Sequence, residues 1–286
     1  MRMAALATTA VVVAGVTVGL VAGSGSGTGS GSATRSATPS SIVLLTAKTA
    51  LANRTADLGI SMTIHTSTGA SISATGSGAV DFTTDAGQMN VSYAGVSQMS
   101  GEQLSELFVG RSFYLSMPGI STIAPGKSWV SETLAGATSM TPGSSNPASM
   151  LQLLAHEGAS VRPAGSTTIG GIAVRAYDVE ISPAAISRRI ASAGLPSSVV
   201  QEVKTMFGSS GVHVDVYVSD GTNLIRRITT SLAMSFGGVS ITGAVTEDLT
   251  NYGVPVSITV PPASQVISLR QFEAAAVSEG SQSSTA

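Results

Sequence analysis

Residues 212–236 read VHVDVYV (212–218), SDGTN (219–223) and LIRRITTSLAMSF (224–236). Val212, Val214, Val216 and Val218 fall on one face of an extended segment, and His213, Asp215 and Tyr217 on the other. Residues 219–223 are turn formers, with Gly221 free to take positive φ. A second alternating run follows, with Leu224, Ile228, Leu232, Met234 and Phe236 at even positions. The spacing predicts a long β-hairpin with one apolar face. Such a hairpin does not stand alone in water, so its apolar face requires a cover.

Composition points the same way. The chain has 286 residues, of which only 10% are charged, against about 25% in a typical globular domain. Aromatics are 4%, and Gly, Ser, Thr, Ala and Val dominate, which suits extended strands with small side chains. The net charge of −2 offers no basic patch, so nucleic acid is excluded as a partner class. The absence of Cys removes disulfides, thiolate metal sites and a Cys nucleophile.

Residues 4–22 carry no charge, and follow Met1-Arg2-Met3. A helix of that length measures roughly 28 Å, near the thickness of a bilayer core. Residues 1–22 read as a signal peptide, with small residues near Ala22-Gly23-Ser24, or as an N-terminal membrane anchor. Either reading puts the remainder outside the cytoplasm, anchored to the cell membrane or secreted. Residues 23–41 read as a disordered Gly/Ser/Thr linker.

From residue 42 the pattern is ordered. Residues 42–53 read as a short helix with Ser41 as N-cap and Ile42, Leu45, Thr49 and Ala52 on its apolar side. Strands are expected near 58–65, 71–82, 88–93, 111–117 and 127–133, with a short helical turn at 102–108. Helices are expected at 146–156, 184–193 and 197–207, and strands at 161–163, at 167–181 broken by a turn at Gly170-Gly171, at 239–245 and at 254–260. Residues 270–286 read as a disordered tail. The sum is an α+β fold: one large curved antiparallel sheet with helices over its concave face.

The order and spacing of several segments resemble those of the actinobacterial LppX/LprG-type lipoproteins, whose fold is similar to that of the carrier LolA. The segments are Ile60-Ser61-Met62-Thr63, Phe113-Tyr114-Leu115-Ser116-Met117, Lys127-Ser128-Trp129-Val130 and residues 150–154. They continue through residues 165–181, Val216-Tyr217-Val218, Asp220-Gly221 and Leu224-Ile225-Arg226-Arg227, and close at residues 253–264. The resemblance runs from about Ile42 to Val266, within one expected domain at residues 42–269. It implies a U-shaped half-barrel that binds an acylated lipid or glycolipid between sheet and helices, without catalysis and without a cofactor. The chain departs from that family in lacking the Cys that would carry a lipid anchor. Membrane attachment would then rest on residues 4–22. A sensor or interaction domain with a collapsed cavity is the alternative reading of the same pattern.

Within this frame the expected cavity wall is Met62, Ile64, Phe82, Met89, Val91, Phe113, Leu115, Leu153, Val203, Val214, Val216, Ile228, Leu232 and Met234. Arg226 shares parity with Leu224 and Ile228, which aims it at a lipid head group, unless a bulge shifts the parity or the residue ends in solvent. Trp129 and Tyr177 read as core, or alternatively as cavity lining. No G-x-S-x-G, G-x-G-x-x-G, P-loop or H-E-x-x-H motif is present, and His65, His156 and His213 stand apart in the sequence. The closest carboxylate pairs, Glu102/Glu106 and Glu247/Asp248, read as solvated surface. No metal site is expected.

Overall fold

The computed structural model describes residues 38–95, 102–110, 112–133, 159–184, 212–236 and 238–282, with backbone alone for 232, 234–236 and 279–282. The segment at 4–22, most of the linker and the helices expected at 146–156, 184–193 and 197–207 lie outside these residues, as do Leu153 and Val203.

Twelve strands form one open sheet in the order β12-β6-β5-β4-β3-β2-β1-β11-β10-β9-β8-β7. They are β1 (Thr55–Thr66), β2 (Ser71–Asp81), β3 (Ala86–Ala94), β4 (Gln103–Val109), β5 (Ser112–Ser116) and β6 (Trp129–Thr133). The second run is β7 (Ala159–Ile169), β8 (Ile172–Ile181), β9 (Val212–Ser219), β10 (Ile225–Phe236) and β11 (Val239–Thr250), with β12 (Val266–Ser268) last. The first meander runs outward from β1 to β6. The second runs inward from β7 to β11, which closes on β1 at the centre of the sheet. Every neighbouring pair is antiparallel except β12 beside β6. The sheet is a curved half-barrel and not a closed barrel. Its two edges are blunted as open sheets require, by a three-residue β12 and by Pro163 at a register shift in β7.

The opening hairpin forms as the alternation predicts. Val216 faces Ile228 across β9 and β10, Val214 faces Thr230, and Ser219 to Leu224 is bridged by a backbone hydrogen bond of 2.9 Å. Asn223 takes positive φ at the turn, a place Asn tolerates.

Four expectations are corrected. Residues 102–108 are strand β4, not a helical turn. Residues 254–260 alternate like a strand but pair with nothing as one. Pro255, Pro261 and Pro262 remove the donors a ladder would need, and the segment runs as a strap from β11 to β12 at the far edge. The tail is not disordered through 282: α3 (Leu269–Gln282) docks Phe272, 2% exposed, against Ile120 and Val130. The first helix, α1 (Pro39–Ala52), begins three residues into the expected linker. Thr38 is its cap, accepting from Ser41 N–H at 3.3 Å, and Pro39 takes the first turn.

The buried side of α1 is also one residue away from the expected one. Val43, Thr46, Ala47 and Ala50 face the sheet, while Leu45 is 66% exposed. The helix is apolar nearly all round, so size decides. Small side chains let it lie close on β7 and β10. The short α2 (Ile120–Ile123) packs with α3 at the other end of the same face. Among the described residues these helices flank the inner face at opposite ends.

Candidate functional site

Strand alternation gives the sheet two unlike faces. The inner face carries Leu58, Met62 and Ile64 from β1, Met89, Val91 and Tyr93 from β3, and Leu104 and Phe108 from β4. It continues through Phe113, Val130, Tyr177, Val179, Val214, Val216, Val218, Ile225, Ile228, Val245 and Leu249. All but Val130 belong to one continuous apolar cluster with the α1 residues. The outer face is mostly Ser, Thr, Asn, Gln and paired charges, with Leu107, Tyr114, Trp129 and Tyr217 among them; Arg227 there donates from Nε and Nη2 to Asp248 at 2.6 and 2.8 Å.

The structure brings most of the expected wall residues to this inner face. Met62, Ile64, Met89, Val91, Phe113, Val214, Val216 and Ile228 are buried there, and Phe82 and Leu115 pack against them half-buried. Leu232 and Met234 stand opposite Gly243 and Ile241, in the inner rows of β10 and β11. Tyr177 is core on this face. Trp129 is not: it lies half-buried on the outer side.

Arg226 is corrected in its parity. A bulge lies between Ile225 and Arg227, so Ile225, opposite Val218, joins Ile228 on the inner side in place of Leu224. Arg226 is the extra residue of that bulge. Its Nε is buried with no hydrogen-bond partner, and Tyr252 pins the bulge by donating to the Ile225 carbonyl at 2.8 Å. Burial pushes the Tyr252 hydroxyl up, with the Arg226 charge pulling it the other way.

Two residues read from sequence as solvated surface lie instead in the apolar wall. Glu106 and Glu247 are each 3% exposed. Glu106 faces Met89 on β3 and Leu115 on β5. Glu247 faces Ile60 on β1 and Ile228 on β10. Each sits in the inner parity of its strand, between Leu104 and Phe108 or between Val245 and Leu249. That parity was the available signal. Burial pushes the Glu106 carboxyl up to about 7, against the opposing pull of a hydrogen bond from Tyr93 Oη at 3.3 Å. Burial and the Glu106 charge push the Tyr93 hydroxyl up in turn. Burial alone pushes Glu247 up to about 7.

The wall between these carboxyls is shallow. Gly76 and Gly78 take two inner positions on β2, between Val91 or Met89 on one side and Ile60 or Leu58 on the other. A Cβ at Gly78 would run into the Gln88 carbonyl oxygen, so the strands approach here as only glycine permits. Four strand steps separate the two glutamates, roughly 20 Å along the sheet. The arrangement is a continuous apolar face that carries two buried, neutralisable carboxyls four strands apart.

His213 stands on the outer face between Asp178 at 3.3 Å and Asp215 at 3.6 Å, and His65 is exposed. His156 lies outside the described residues. Among the described residues no group of three or more His, Asp or Glu is placed to hold a metal ion, and no helix is long and apolar enough to cross a membrane.

The class this defines is an open, almost wholly antiparallel sheet with one apolar, buried face. Among solved structures the chain is similar to LprF from Mycobacterium bovis, at 13% identity and a TM-score of 0.41, covering 79% of this chain and 97% of that one. It is also similar to the lipoprotein LppX from Mycobacterium tuberculosis, at 15% identity and a TM-score of 0.44, covering 76% and 98%. A LolA superfamily protein from Nitrosomonas europaea is more distant, at 9% identity and a TM-score of 0.27, covering 76% and 95%. No family model matches the sequence, and no curated protein matches it.

Proposed function

We propose that this protein binds an acylated lipid or glycolipid along its inner face and carries or presents it outside the cytoplasm, without catalysis. The observation that carries the reading is the continuous apolar face of a sheet that never closes on itself. A sandwich or barrel would cover such a face with its own strands. An acyl chain laid on it gains about 0.8 kcal/mol for each CH₂ removed from water. Methionines 62 and 89 on this face are unbranched and adapt to guests of different shape. Glu106 and Glu247, held neutral by burial below about pH 7, are donors for an ester or hydroxyl oxygen and poor partners for a phosphate. Residues 1–22 would export the chain and either leave it or tether it to the membrane.

A second reading has one observation in its favour. The wall residues are almost fully buried by the protein's own atoms, as expected for a domain whose inner face is filled by its own side chains and which serves as an envelope sensor or interaction module. Uptake of a fluorescent acyl probe separates the two. Lipid binding predicts saturable uptake by the delipidated protein, reduced at least tenfold by Met89→Trp, which adds bulk to the inner face. Failure of the folded wild-type protein to take up any acyl probe would reject lipid binding in favour of the second reading.

A further inference from the structure

The outer face carries a cleft separate from the apolar inner face. A half-open cleft of about 230 Å³ lies over β2, β3 and β4, between the sheet and the strap at 254–260. Its polar lining is Ser77, Gln88, Asn90 and Ser105 with Thr259 of the strap, and its apolar lining is Met89, Leu107 and Trp129 of β6. The sheet register explains the grouping. Ser77 faces Asn90 and Asn90 faces Ser105 across successive strands. Ser116 faces Ser105, and Trp129 stands one step beyond the Leu115–Val130 pair. One outer row is therefore small and polar for four strands and ends at an indole.

The chemistry of this set is narrow. Gln88 and Asn90 each offer a carbonyl acceptor and an amide donor, and the hydroxyls of Ser77, Ser105 and Thr259 offer both. Ser105 Oγ already donates to Asn90 Oδ1 at 2.8 Å, which leaves the Asn90 amide nitrogen as a donor toward the cleft. The one ionisable side chain in the lining is Glu106, whose carboxyl is committed to Tyr93 on the other face. The cleft is smaller than the roughly 300–1,000 Å³ of a drug-sized site, so it suits a ligand of one ring. An uncharged ligand with hydroxyls round its rim and one apolar face for an indole is a neutral pyranose.

We propose that this cleft binds a neutral saccharide unit of a glycan outside the cell, independently of any lipid on the opposite face. A ligand of about twelve heavy atoms at ordinary efficiency reaches a Kd on the order of millimolar, which suits recognition of a repeating polymer by avidity.

Trp129 is the single tryptophan of the chain, so its fluorescence reports on this cleft alone. The test titrates the full chain with glucose, galactose, mannose and their methyl glycosides, and in parallel with glucose 6-phosphate and glucuronate. The proposal expects a saturable change in intensity or wavelength with at least one neutral sugar. Gln88→Ala and Asn90→Ala, both at exposed positions, should weaken that sugar at least tenfold while circular dichroism is unchanged. Trp129→Phe, followed by ligand-observed NMR, should retain it. No saturable response to any neutral sugar would overturn the proposal, as would tighter binding of the anionic sugars. Undiminished binding by both folded amide variants would overturn it equally. Acyl-probe uptake by the same protein should not change at saturating sugar, so the two sites are read separately.

Discussion

Glu106 and Glu247 carry the strongest chemical consequences of any single residues here. Each has a folded pKa raised to about 7 by burial, above the ordinary value of 4.5. The folded state therefore binds more protons than the unfolded state between those limits. Stability should be highest below about pH 4.5 and fall as pH rises toward 7, by on the order of 3 kcal/mol for each carboxyl. Urea unfolding at pH 5 and pH 8 should show the higher midpoint at pH 5, and Glu247→Gln should reduce the difference. An unchanged difference in that variant would mean Glu247 is not the titrating group. These residues were hidden in the sequence because carboxylates default to surface. The alternation that exposes them needs the strand to be recognised first, and β4 was obscured by Leu107, apolar in the outer parity.

At the scale of elements, what the sequence made legible was alternation with clear turns. The hairpin at 212–236 and the β7–β8 turn at Gly170-Gly171 were both open to reading. Pairing partners were not: the 254–260 segment has the alternation of a strand and becomes a strap, with Val256 and Ile258 half-buried and Val254 and Val260 exposed. Residues 269–282 have few large apolar side chains, yet Phe272 and Ala276 share a turn of helix and bury together. Phe272→Ala should cost about 3–5 kcal/mol, read by chemical denaturation, where a disordered tail would cost nothing. The glycines of the sheet form a graded series. Gly78→Ala meets backbone, Gly87→Ala meets the Phe108 ring, and Gly59→Ala makes an ordinary contact of 3.6 Å with Asp248 Cβ. Loss of stability should follow that order, with Gly78→Ala costing about 1–3 kcal/mol or more and Gly59→Ala costing least. An equal response at all three would contradict the close strand approach at β2 and β3.

The described residues form an unclosed sheet with a buried apolar inner side and a largely polar outer side. Two meanders meeting at β1 and β11 place the centre of the apolar face farthest from either edge. A guest on that face would leave the outer cleft free for a second partner. Filled core and lined cavity have the same apolar signature in sequence, because both need large apolar side chains in the inner parity of each strand. The most direct measurement is native mass spectrometry of the protein purified from its own host without detergent. The account predicts a mass increment that organic extraction removes and that fragments to acyl chains, bound in a ratio near one per chain. Recovery of only unliganded protein, together with no uptake of added lipid after folding is verified, would contradict it.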